Sequence, residues 1–140
     1  MTLEKSPLWR FNARFMVVVH SEQPPSDADW NTSLDEFASK PLVTRVLVYT
    51  AGGVPNTQQR VRLTAELTSR NALIAVLTES ALGRAVGIAL RIFRPEIRTF
   101  GPDELAQAFD YLAATPSERD ELTGVLDDLK SRLGLARGST

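Results

Sequence analysis

The groups best suited to chemistry in this chain gather in Thr50-Ala51-Gly52-Gly53-Val54-Pro55-Asn56-Thr57. The segment follows a β-branched run, TRVLVYT, and precedes a helical pattern in which Asn56 and Gln59 stand three apart, the spacing of a capping box. At the carboxyl end of a strand and the amino end of a helix, N–H groups and the helix dipole favour an anion. Two glycines there permit close backbone approach. Thr50, Gly52, Gly53, Asn56, Thr57 and Arg60 are therefore the candidate partner- or anion-binding residues, with the Thr57 hydroxyl a candidate phosphoacceptor. The competing reading is a tight turn entering a well-capped helix. Neither GxGxxG nor a P-loop is present and no Lys follows, which argues against a nucleotide.

Other chemistry is sparse. The absence of Cys and the single His exclude thiol nucleophiles, disulfides, zinc knuckles and any two-histidine metal centre. His20 falls between a strand and a Pro-rich loop. Ser21, Glu22, Asp27 and Asp29 are its neighbours in sequence only, and no nucleophile elbow occurs, so it reads as a surface or strand-end histidine rather than a catalytic one. The carboxylate pairs Asp35/Glu36 and Asp127/Asp128 are adjacent on helices and diverge. The expectation is no catalytic residue, no metal and no cofactor.

Sixteen Lys and Arg against seventeen Asp and Glu give a formal charge of -1, without the basic excess of a nucleic-acid binder. Arginines predominate over residues 60–98 and carboxylates over 99–130. That polarity suits an acidic partner, anionic lipid head groups, a second protomer in a homodimer, or surfaces that neutralise each other within one domain. The opening MTLEKSPLWR lacks a signal-peptide core, and no run approaches about 18 apolar residues. These features point to a cytoplasmic chain and argue against membrane contact.

The elements that must position these groups follow from periodicity. Leu8 to His20 reads as a strand or a bent strand pair, and further strands are expected at 44–50, 72–77 and 97–100, the last three parallel. A helix to about Ser39 starts near Ser26 and turns Trp30, Leu34, Phe37 and Ala38 inward. Helices are also expected from Asn56 to Ser69, from Ser80 to Phe93, from Gly101 with Leu105, Ala108, Phe109 and Leu112 inward, and from Thr115 to Leu133. Strands alternating with helices imply an α/β fold, a mostly parallel sheet covered on its faces. At 140 residues the chain fits one domain, expected over 1–135, with 136–140 a disordered tail.

Three stretches carry a family resemblance: VVVHSEQPPSDADWNTSLDEFAS, VTRVLVYTAGG, and ALIAVLTESALGRAVGIALRIFRPEIRTFGPDELAQAF. In their order and spacing the chain resembles STAS-type domains, the anti-sigma-factor-antagonist modules, and within them the SpoIIAA-like group. The resemblance implies a mixed, mostly parallel sheet of four to five strands and a non-enzymatic, regulatory role. It also implies a protein partner, such as an anti-sigma factor or a kinase-like regulator, bound through the loop and helix after the central strand. Antagonist members carry a phosphorylated hydroxyl in an Asp-Ser-Gly type motif; here the loop has no acidic residue and no serine, and Thr57 is the nearest hydroxyl. The alternative reading is a small-ligand, anion or lipid-binding module of similar fold, with an apolar pocket closed by the long first strand and the helices.

Overall fold

The computed structural model describes residues 6–79, 85, 88 and 96–135. In chain order the elements are β1 (Leu8–Asn12), β2 (Phe15–His20), α1 (Asp27–Ala38), β3 (Arg45–Thr50), α2 (Thr57–Thr68), β4 (Leu73–Thr78), β5 (Ile97–Phe100), α3 (Leu105–Leu112) and α4 (Pro116–Arg132). The five strands form one sheet in the order β1-β2-β3-β4-β5. Strands β2 to β5 run parallel and β1 pairs antiparallel with β2, so the fold is α/β with a mixed, mostly parallel sheet. The helix expected over 80–93 and the tail 136–140 lie outside the described residues, apart from Ala85 and Ile88.

Local chemistry sets the element ends. The stretch 8–20 folds as a hairpin turned at Ala13, whose φ is 52°. Ser26 caps α1 by accepting from the Asp29 N–H, and full capping boxes start α2 (Asn56 with Gln59) and α4 (Thr115 with Glu118). Two expectations shift. Helix α3 begins at Leu105 because Gly101 to Glu104 form their own turn, in which Glu104 N–H donates to the Gly101 carbonyl at 3.1 Å. On α1, Ala38 is exposed and Ser33 takes the inward place. Ser33 lies closer in angle to the Trp30–Leu34–Phe37 stripe, and its hydroxyl donates to the Trp30 carbonyl at 2.7 Å.

Alternate residues of each strand face opposite layers. Phe15, Val17, Val19, Leu47, Tyr49, Ala75 and Leu77 pack against α3 and α4, whose Ala108, Phe109, Leu112, Leu122, Leu126 and Leu129 are all buried. On the other side Met16, Val18, Val46 and Ile74 meet Phe37 of α1 and Leu67 of α2. The backbones of α3 and α4 run close to β4 and β2, whereas α1 and α2 approach one another and stand off the strands. The acidic α4 is bound to the hairpin: Arg14 donates from Nε and Nη2 to the two Glu118 carboxylate oxygens at 3.0 and 2.9 Å, and Arg10 meets Asp128 at 2.7 Å. Part of the charge polarity is thus neutralised inside the domain.

Candidate functional site

The loop from Thr50 to Thr57 uses most of its polar groups on itself. The Thr50 hydroxyl donates to the Gly53 carbonyl at 2.6 Å and accepts from the Gly52 N–H at 3.2 Å. Asn56 Oδ1 accepts from the Gln59 N–H at 2.8 Å, while the Arg60 guanidinium donates to the Pro55 carbonyl at 2.9 Å and to Thr57 Oγ1 at 3.1 Å. Both glycines have reasons within the chain. Gly52 holds a φ of 145°, and a Cβ on Gly53 would lie 2.1 Å from the Gln23 carbonyl oxygen. The close backbone approach that the sequence suggests is therefore made by residues 21–23, to which Gly53 N–H also donates (Ser21 O, 2.9 Å). Thr57 itself lies exposed at the start of α2.

Behind this loop, between the sheet and helices α1 and α2, lies a cavity of about 120 Å³. Its floor crosses three strands in register through Val18, Val48 and Val76. Val48 and Val76 belong to the two middle strands yet are only partly buried. Trp30 and Leu34 from α1 and Leu63 from α2 form the opposite wall, and Thr50, Gly53, Val54 and Pro55 border one end. Of the six candidate residues, Thr50 and Gly53 thus reach the cavity, and Gly52, Asn56, Thr57 and Arg60 are not among its lining residues.

At the carboxyl ends of the strands the lining turns polar. His20, Thr50 and Thr78 are register partners across β2, β3 and β4, and all three are buried. His20 and Thr50 line the cavity. His20 is 6% exposed, its ring sits 6.0 Å from Trp30, and its Nδ1 has no hydrogen-bond partner among the described residues. Burial disfavours the charged form and pushes its pKa down to about 4, so the imidazole is neutral at pH 7. Trp30 is held in turn: its indole N–H donates to the Gln59 carbonyl at 3.0 Å, and the buried Gln59 Nε2 reaches Pro25 O and Asp27 Oδ1 at 3.0 and 2.9 Å. The first of these features was readable in sequence, because FMVVVH, RVLVYT and LIAVLT each end on a hydrogen-bonding residue at the same position.

On the opposite face Lys130 is buried with its Nζ 4.1 Å from the centre of the Tyr49 ring, and the Tyr49 hydroxyl donates to Glu79. Burial lowers the pKa of the Lys130 amine and raises that of the Tyr49 phenol. The cluster pins α4 to β3 by a cation–π contact. Among the described residues no group of three or more His, Cys, Asp or Glu could hold a metal ion, and no helix is long and apolar enough to cross a membrane.

No protein-family model, curated protein or solved structure matches this chain.

Proposed function

We propose that this chain is a non-enzymatic binding module that takes a small apolar ligand between its sheet and helices α1 and α2. The carrying observation is the cavity of about 120 Å³ floored by Val48 and Val76 in the two middle strands. Protein interiors are close-packed, and voids of this size are few. An apolar engineered cavity of roughly 150 Å³ stays dry and binds benzene, so the space suits one ring or a short branched chain.

A second reading keeps the STAS-type role, in which the loop and α2 bind a regulatory protein, with Thr57 as a phosphoacceptor. It is favoured by Val61, 65% exposed one turn after Thr57 on the outer side of α2. The two readings are compatible, because the loop that would meet the partner also borders the cavity.

Thermal denaturation with and without toluene tests the first reading. Ligand at about 100 times its Kd should add about 2.7 kcal/mol and raise the Tm by several degrees. In Val48→Phe, whose added ring occupies the cavity, that rise should vanish. A wild-type Tm that toluene and its hydroxyl analogue phenol both leave unmoved would rule the reading out.

A further inference from the structure

What the cavity selects depends on its polar end, and this inference rests on the ligand-binding reading above. Three of the polar groups there are already committed to backbone carbonyls: the Thr50 hydroxyl to Gly53, the Ser33 hydroxyl to Trp30, and the Trp30 indole N–H to Gln59. His20 differs. Its ring lines the cavity, the residue is more than nine-tenths buried, and Nδ1 is shielded from solvent with no partner among the described residues. Buried polar atoms are almost always paired, and one left unpaired is a loss that a ligand would recover.

The imidazole is neutral at pH 7. A neutral histidine has one donor and one acceptor nitrogen, and the Nε2–H form, the one preferred by a free imidazole side chain, is the form in which Nδ1 accepts. Nδ1 has no accessible surface where the ring now stands, so binding requires a turn about the soft torsion that carries the ring to present Nδ1 to a molecule in the cavity. No Arg or Lys is among the lining residues described, so a carboxylate or phosphate would enter without a counter-charge.

We propose that the cavity takes a small uncharged hydrophobe bearing one hydroxyl, of the size of phenol or a short branched alcohol, whose hydroxyl donates to Nδ1 of His20. The apolar body lies on Val48 and Val76 beneath Trp30 and Leu63.

The chain has a single histidine, so long-range 1H–15N spectra report on this ring without overlap. Phenol, toluene and benzoate, similar in size, are titrated into the wild type and into His20→Phe. The expected result is that phenol moves the Nδ1 resonance and toluene does not, and that benzoate binds weakest. His20→Phe should weaken phenol about tenfold relative to toluene, the loss of one hydrogen bond to a buried group. If Nδ1 stays still under saturating phenol, if the phenol-to-toluene ratio survives the substitution, or if benzoate binds best, the hydroxyl assignment is wrong while ligand binding stands. If none of the three binds, the ligand-binding reading falls with it. Should His20→Phe fail to fold, the wild-type Nδ1 response decides alone.

Discussion

The two faces of the sheet are built from the same strands and have opposite character. Under α3 and α4, Val17, Val19, Leu47, Ala75 and Leu77 are essentially inaccessible and the helix backbones run close. Under α1 and α2, Val48 and Val76 remain partly open and the side chains turn polar towards His20, Thr50 and Thr78. Among the described residues, one face is closely packed and the other retains space. The difference teaches where to look for function when motifs are absent, since a close-packed core has no reason of its own to keep a void or an unpaired imidazole.

Truncation should separate the faces most. Leu122→Ala, on the packed side, is expected to cost about 3 to 4 kcal/mol, and Leu63→Ala, beside the cavity, about 1 kcal/mol, both read from urea denaturation. Equal losses would break the comparison.

Acid should find the same asymmetry. Burial lowers the folded pKa of His20 to about 4 against an unfolded 6.5. The unfolded chain therefore binds more protons between these values, and stability falls as pH drops from about 6.5 to 4, by about 3 kcal/mol in all. Denaturation across that range should show the slope in the wild type and lose it in His20→Phe. The Arg14 guanidinium and the Thr115 backbone lower the Glu118 pKa to about 2, so that contribution is lost only below about 4.5 and stays separable.

Backbone crowding comes next. Gly53→Ala should cost about 2 kcal/mol by calorimetry, because the new Cβ meets the carbonyl oxygen of Gln23. A neutral result would mean that the loop yields freely, as a ligand- or partner-contacting loop would. Filling should then have opposite signs on the two faces. Val48→Phe is expected to stabilise by about 1 kcal/mol, whereas Ala75→Leu on the packed side should destabilise by about 1 to 3 kcal/mol. The smallest effect is Thr57→Glu, within about 0.5 kcal/mol, since Thr57 is exposed at a helix start where negative charge is tolerated.

Much of the fold was legible because it is local. The strands at 44–50, 72–77 and 97–100 and their parallel run, the caps at Ser26, Asn56 and Thr115, and the stripe Leu122–Leu126–Leu129 follow from periodicity, the strand–helix alternation and capping chemistry, whereas the parallel pairing of β2 with β3 was not expected. The site was less legible. Thr50 to Thr57 carries the right types for an anion loop, yet Gly53 answers to Gln23 and Arg60 to Pro55 and Thr57, relations that only the assembled chain reveals. His20 reads in sequence as a surface or strand-end histidine; it ends β2 but is buried rather than on the surface. Its significance comes from lying level with Thr50 and Thr78 under Trp30, a matter of register and of the stand-off between α1 and the sheet. The expected pocket under the long first strand is lined by its second half, β2, and not by β1.

The contrast between the faces can be read directly from a crystal of this protein pressurised with xenon, which enters dry apolar cavities. One xenon site is predicted among Val48, Val76, Trp30 and Leu63, with none between the sheet and α3 or α4. Xenon absent from the α1/α2 face, or bound instead beneath α3 and α4, would contradict it.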